Sequence, residues 1–114
     1  MAFIISINGN PLEVILQGAG MLESSDVKNI FTVKAPGFLL DGVTLRKVSN
    51  HLIQIKGEEG ANFPIIRNCI LQDSYQQLIK VTTGKQNSPS QSGIIENCIF
   101  EYTAGIGPNF YIGG

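Results

Sequence analysis

The chain has 114 residues, a net charge of −1 and 15% charged residues, the size of one domain or of a piece of a larger one. Eight basic and nine acidic residues give no electrostatic attraction to nucleic acid or to anionic lipid. No segment approaches the ~20 apolar residues of a membrane span, and the apolar start "MAFIISI" is too short for a signal peptide. Thirteen glycines, few charges and many β-branched residues predict a protein of short β-strands.

Two short apolar phrases in the first third of the chain have copies further on. "ILQGAGM", from Ile15, is a faint copy of "LLDGVTL", which begins 24 residues later at Leu39. "IFTVK", from Ile30, is an early copy of "HLIQIK", which begins at His51. In both members of the second pair apolar and polar residues alternate, so each is predicted to be a half-buried strand.

The second half of the chain repeats these phrases more closely. "IIRNCIL" begins at Ile65 and "IIENCIF" at Ile94, and five of their seven letters are identical. The offsets from Leu39 are 65 − 39 = 26 and 94 − 65 = 29. "QLIKVT", from Gln77, follows "HLIQIK" at the same offset of 26. The longer repeat contains the polar stretch "TTGKQNSPSQSG", which is predicted to be a surface loop that either lines a groove or is a tolerated insertion.

A repeat of 24–29 residues with two or three short strands predicts an all-β protein, a parallel β-helix in which each repeat is one coil. Matching letters then stack about 4.8 Å apart on neighbouring coils. Asn68 over Asn97 predicts an amide ladder at a tight bend. The column Asp41, Arg67, Glu96 alternates in charge, as expected for side chains that face one another across paired strands.

The phrases "DGVTLRKVSNHLIQIKGE", "IIRNCILQDSYQQLIKV" and "IIENCIFEYTAGIGPNFYIGG" resemble the coils of right-handed parallel β-helix repeat proteins, the pectate-lyase-like superfamily. The resemblance is good over residues 38–114 and weak over 11–34. It implies one right-handed β-helix segment over residues 1–114, with coils at roughly 12–38, 39–64, 65–93 and 94–114. The last coil stops at "YIGG" without a capping segment, so we expect the chain to be part of a longer solenoid.

The resemblance also implies an extracellular or periplasmic protein that binds or cleaves polysaccharide in a groove along an outer strand face. Residues predicted to project from the second strand of each coil, or to lie near it, are the candidates for binding sugar: His51, Gln54, Lys56, Lys80 and Tyr111. The alternative for the lysines is an ordinary solvated surface, and for His51 a hydrogen-bonded position at a turn. In a lyase, Lys80 or Lys56 would be the base, which requires a lowered pKa.

Other chemistry has less support in the sequence. No two carboxylates are adjacent in one column, which disfavours a glycoside hydrolase. Calcium, which the related lyases often use, would need Glu58, Glu59 and Asn62 together, although their spacing matches no calcium motif; no other cofactor or metal site is indicated. Cys69 and Cys98 stack in the alignment, either as free buried thiols, which we favour, or as a disulfide.

Three functions follow from these observations. The first is a carbohydrate-associated module that forms the scaffold, or one wall, of a polysaccharide-binding groove. The second is a fragment of a lyase that cleaves acidic polysaccharide by β-elimination. The third is a structural spike or adhesin. The sequence does not identify the sugar, its linkage or the oligomeric state.

Overall fold

The computed structural model describes residues 2–22, 24–103 and 112–113, the last two for their backbone alone. Three phrases in each repeat form strands because short apolar-polar alternations end at residues that permit a bend. The strands in chain order are β1 (Phe3–Ile5), β2 (Ile15–Gln17), β3 (Phe31–Val33), β4 (Leu39–Asp41), β5 (Thr44–Val48), β6 (Ile53–Lys56), β7 (Ile65–Arg67), β8 (Ile70–Ser74), β9 (Ile79–Thr82), β10 (Ile94–Glu96), β11 (Ile99–Glu101) and β12 (Ile112–Gly113). A 3-10 turn, Gly57–Glu59, follows β6.

These strands form three four-stranded sheets, and every pairing within them is parallel. Sheet A has the order β1-β4-β7-β10, sheet B the order β2-β5-β8-β11 and sheet C the order β3-β6-β9-β12. The chain therefore passes from sheet A to B to C and returns to A one strand further along. The result is a β-solenoid of about three turns, which confirms the predicted all-β parallel architecture.

The predicted offsets of 26 and 29 residues are confirmed. Leu40 is the partner of Ile66, which in turn is the partner of Ile95, in sheet A. In sheet C, Ile53 lies beside Ile79. Because one face of each strand must be buried, a slip of one residue would turn every apolar side chain outward, so the hydrophobic pattern fixes this register.

The first coil differs from the prediction in two respects. β1, which lies before the predicted boundary near residue 12, is the partner of β4 at an offset of 39 − 3 = 36. "ILQ" at Ile15 does not lie beside Leu39, as the alignment proposed, but beside Thr44 in sheet B, at an offset of 29. The alignment was wrong because an extra loop between β1 and β2 lengthens this coil, and a fixed repeat length assigned "ILQG" to the wrong sheet.

The core consists of the inward side chains of all three sheets. Leu40, Leu45 and Ile53 of the second coil and Ile66, Leu71 and Ile79 of the third are fully buried. Each such side chain contributes about 1.5–3 kcal/mol on removal from water. This stacking of apolar columns is the main stabilising term of the solenoid.

The bend between sheets A and B has a left-handed backbone in three successive coils. Gly42, Asn68 and Asn97 occupy equivalent positions there, and all three have positive φ, of 73°, 55° and 50°. Asparagine tolerates this left-handed backbone better than most residues, because its short polar side chain bonds locally. The Asn97 Nδ2 donates to Asn68 Oδ1 at 2.6 Å, and the Asn68 Nδ2 donates to Asp41 Oδ1 at 2.8 Å. The predicted amide ladder is confirmed.

Asp41 is the end of this ladder and also the partner of Arg67, whose Nε lies 2.9 Å from Asp41 Oδ2. The bond from Asn68 lowers the pKa of the Asp41 carboxyl, burial opposes this, and Arg67 lowers it further. The lowered pKa means that Asp41 stabilises the fold above pH 3.8, its ordinary value, and that this contribution is lost as the pH falls through the folded-state pKa.

We predict that Asn68→Ala destabilises the protein by about 2–4 kcal/mol, because it loses two hydrogen bonds and places alanine in the left-handed region. Asn68→Gly keeps the backbone conformation and loses only the bonds, so we expect about 1–2 kcal/mol. The free energies are measured by urea unfolding. Equal stability of the two variants would show that the left-handed bend is not what selects asparagine here.

Candidate functional site

The outer face of sheet C contains most of the residues that the sequence suggested for binding. Thr32 and Gln54 are partners on neighbouring strands, as are Gln54 and Lys80. Lys56 lies beside Thr82 in the next column. We call these five residues the outer row. Since paired strands lie about 4.8 Å apart, the row presents amide, ammonium and hydroxyl groups from three successive coils on one surface.

The amide of Gln54 is oriented by a residue that the sequence analysis did not single out. Asn29 Nδ2 donates to Gln54 Oε1 at 3.1 Å and to the hydroxyl of Thr32 at 3.2 Å. The Asn29 Oδ1 accepts the backbone N–H of His51 at 3.1 Å. Extending the alignment two residues before Phe31 would have placed Asn29 in the column of His51 and revealed this contact.

His51 does not belong to the exposed row. It is 8% exposed, and its Nδ1 donates to the carbonyl oxygen of Gln77 at 3.0 Å. Burial lowers the pKa of His51; the bond to Gln77 opposes this, and the charge of Lys80 adds to the lowering. Its position corresponds to the alternative considered from the sequence, a hydrogen-bonded residue at a turn.

Acidic and polar groups lie next to the outer row, beside Thr82. Glu58, in the 3-10 turn after β6, accepts a hydrogen bond from the hydroxyl of Thr82. The loop that follows β9 packs against this turn: the Ser90 hydroxyl donates to Ala61 O at 2.6 Å, and Gln91 N donates to Asn62 Oδ1 at 3.0 Å. The predicted surface loop is therefore fixed against the preceding coil, beside the outer row.

The row's lysines lack carboxylate partners in the described parts of the chain, where Arg67–Asp41 is the one ion pair. Lys34 follows β3 at the position equivalent to Lys56, since Val33 is the partner of Ile55. Lys34, Lys56 and Lys80 thus bring three positive charges to one face. Like charges on neighbouring strands are unfavourable unless an anion lies between them, so this face is suited to an anionic ligand.

The remaining candidates have separate positions. Tyr111, predicted to bind sugar, lies outside the described residues. Glu59 and Glu58 belong to the same 3-10 turn, and Asn62 already accepts Gln91 N. Among the residues that the structure describes, no group of three or more His, Cys, Asp and Glu side chains could hold a metal ion. A calcium site stays a prediction.

Cys69 and Cys98 stack on neighbouring coils beside the bend between sheets A and B, and both are free thiols, as favoured from the sequence. The Cys69 thiol donates a hydrogen bond that lowers the pKa of Cys98 to about 7, and the same contact, with burial, raises the pKa of Cys69. Cys69 is almost fully buried. The pair contributes to the core and lies away from the outer row.

Comparison of this chain with models of protein families, with curated proteins and with solved structures found no match. In the described residues, no helix has the length and apolar character required to cross a membrane. The structure therefore establishes a parallel β-solenoid, while the particular superfamily and its activity are matters for proposal.

We predict that the buried His51 makes stability depend on pH in a specific window. Because its pKa is lower in the folded state than the ordinary 6.5, the unfolded chain binds more protons between the two values. Stability should therefore fall as the pH decreases below about 7. His51→Gln removes the titrating group.

The measurement compares thermal midpoints of the wild type and His51→Gln at pH 7.5 and pH 5.0. The wild type should lose more stability over this interval than the variant. Asp41 does not interfere, because its window lies below pH 3.8. An equal loss in both proteins would show that another group controls the pH dependence.

Proposed function

We propose that this chain is a carbohydrate-associated module of the pectate-lyase-like type, and that the outer row is the wall of a groove for an acidic polysaccharide. The observation that supports this most directly is the set of three lysines, Lys34, Lys56 and Lys80, on one flat face without a carboxylate partner in the described residues. Ammonium groups bind carboxylates through short charge-assisted hydrogen bonds.

The neutral groups of the row complement these charges. The Gln54 oxygen is held by Asn29, so the amide plane has one orientation and its NH₂ group is directed by the protein rather than by the ligand. A preorganised donor loses less entropy on binding than a mobile one. Hydroxyl-rich ligands need such donors between the charged contacts, which distinguishes a sugar chain from a simple anion.

The sheet geometry suits an extended ligand. Each coil adds polar side chains at equivalent positions about 4.8 Å further along the solenoid axis, so a linear polymer running along that axis meets polar groups of successive coils. Many weak contacts then add up along one chain. An exposed ion contact of this kind contributes about 1 kcal/mol or less by itself.

The extracellular or periplasmic location implied by the sequence resemblance belongs to this proposal. So does the use of the chain as a wall or scaffold rather than as a complete catalytic site. In the lyase alternative, Lys80 or Lys56 on the same surface is the catalytic base. This alternative differs from the binding module because it predicts cleavage of the polysaccharide.

We predict that Lys56→Ala and Lys80→Ala each weaken binding to polygalacturonate or alginate oligosaccharides about 2- to 5-fold, with the larger effect at low salt. Lys85→Ala, in the exposed loop after β9, is the matched control and should bind like the wild type. Binding is measured by calorimetry, with a neutral dextran oligosaccharide as the negative ligand.

The same mixtures are followed for ultraviolet absorbance of unsaturated products. Binding without product supports the module. Formation of unsaturated product that is lost in Lys80→Ala would instead support the lyase alternative. Equal affinity for dextran and for the acidic oligosaccharides, or equal weakening by Lys85→Ala, would remove the outer row as the binding surface.

A further inference from the structure

The bend between sheets B and C contains a cleft that does not belong to the outer row. In the second and third coils the cleft lies just after β5 and β8, and in the first coil it lies just before β3. Its volume is about 230 Å³, and it is lined by Lys28, Ser49, Asn50, Tyr75 and Gln76. We call it the bend cleft. Three successive coils therefore contribute to one concave surface on the side of the solenoid.

Backbone hydrogen bonds fix the positions of these residues relative to one another. The Asn50 N–H donates to the carbonyl oxygen of Lys28 at 3.0 Å, and the Gln76 N–H donates to the carbonyl oxygen of Asn50 at 3.0 Å. Lys28, Asn50 and Gln76 thus form one column across three coils. The bend cleft is centred on the second coil and has a bonded coil on either side.

Ser49 is the most buried residue that lines the bend cleft. It is 6% exposed, and its hydroxyl lies 3.2 Å from the carbonyl oxygen of Ser25 and 3.3 Å from that of Val27. Because this hydroxyl donates within the protein, the protein rather than a ligand determines the shape of this part of the cleft.

The other four lining residues have side chains that are available to a ligand. In the described parts of the chain, neither the Lys28 ammonium nor the Tyr75 hydroxyl has a hydrogen-bond or ion-pair partner. The same holds there for the side-chain amides of Asn50 and Gln76. Lys28 and Gln76 are exposed, whereas Asn50 and Tyr75 are half-buried. The bend cleft therefore combines a positive charge, two amides and an aromatic ring.

This combination is suited to a single sugar unit that has a carboxylate, a uronate. The Lys28 ammonium can bind the carboxylate through charge-assisted hydrogen bonds. The two amides supply both donors and acceptors for hydroxyl groups, and Tyr75 has an apolar ring with a polar tip. The volume lies below the ~300–1,000 Å³ of pockets that enclose a whole small-molecule ligand. The bend cleft is therefore sized for one unit of a polymer rather than for a longer piece.

The charge of the bend cleft favours an acidic sugar over a neutral one. Lys28 is the one charged residue among those that line it. Asp26, two residues before Lys28, is exposed and does not line the cleft. An anionic ligand there meets a cation and no carboxylate of the lining.

The bend cleft is adjacent to the outer row. Asn29, which follows Lys28, donates to the amide oxygen of Gln54 in the row. Gln76 lies four residues before Lys80, a span of at most about 14 Å in an extended chain. One oligosaccharide can thus contact both surfaces.

We propose that the bend cleft is a second subsite, which holds one uronate unit of the acidic polysaccharide. Lys28 binds the carboxylate, and the sugar ring packs against Tyr75. Asn50 and Gln76 bind hydroxyl groups. This inference rests on the proposed function and extends it, because the flat outer row binds through many weak contacts along a polymer. The concave bend cleft instead binds a monosaccharide by itself.

The test titrates the protein with galacturonate, the monosaccharide, and follows the side-chain amide signals in NMR spectra. The signals of Asn50 and Gln76 should shift and saturate, whereas that of Gln54 in the outer row should shift less. Glucose, which has no carboxylate, is the negative ligand and should bind more weakly.

Two substitutions probe the bend cleft directly. Lys28→Gln removes the charge and Gln76→Ala removes one amide, and each should weaken galacturonate binding about 2- to 5-fold. Both side chains are exposed and without a partner in the described residues, so both variants should keep the fold, which unchanged backbone signals elsewhere verify. Lys85→Ala removes a charge from the exposed loop after β9; this matched control should bind galacturonate like the wild type.

The outcomes distinguish the subsite from the proposed function. The bend cleft is excluded if Lys28→Gln binds galacturonate and polygalacturonate oligosaccharides like the wild type while Lys80→Ala weakens the oligosaccharides; the outer row then stands alone. Saturation of the Gln54 signal without that of Asn50, or equal affinity for glucose and galacturonate, would also overturn the subsite. If neither galacturonate nor the oligosaccharides bind, both proposals fail.

Discussion

The rest of the structure depends on the parallel register of successive coils, which is fixed where sheet A turns into sheet B. At that bend the backbone adopts positive φ in every coil from the second onward, at Gly42, Asn68 and Asn97. The asparagine amides bond from coil to coil and end on Asp41. Because each amide has its partner on the neighbouring coil, a slip in register would break these bonds and leave the half-buried Asn68 amide without its partners, at about 1–3 kcal/mol. The same register stacks the apolar columns and brings the lysines of sheet C together.

Much of this fold is predictable because residues on neighbouring coils of a solenoid are separated by a nearly constant number of sequence positions. Residues 26 or 29 positions apart are neighbours, so the repeats at Ile65 and Ile94 revealed sheet A, the asparagine ladder and the Asp41–Arg67 pair. The prediction was wrong for the first coil because an inserted loop changes the repeat length. Strands of three residues are too short for their hydrophobic alternation to reveal the changed register. β1 contains no polar residue and so shows no alternation that could have identified it.

The candidate site was predictable in its strand positions and not in its side-chain partners. The alternation of "IQIK" indicated correctly that Gln54 and Lys56 share a strand face, and the offset placed Lys80 beside Gln54. Burial of His51 was one of two alternatives that the pattern left open, because the end of a strand does not determine whether a side chain turns inward. The role of Asn29 depends on contacts with three different residues, which an alignment of apolar letters does not record. The lysines are the basis of the proposal that this face binds an anion, and the strand pattern does not identify the ligand.

The register itself is tested most directly by nuclear Overhauser effects between backbone protons in the isolated chain. The parallel solenoid predicts N–H to Hα contacts that link Leu40 with Ile66 and Ile66 with Ile95 and that keep a constant sequence offset along each strand. Contacts in which one residue number rises while its partner's falls, or a set that joins these strands to other segments, would show antiparallel or different pairing and would contradict the account at its foundation.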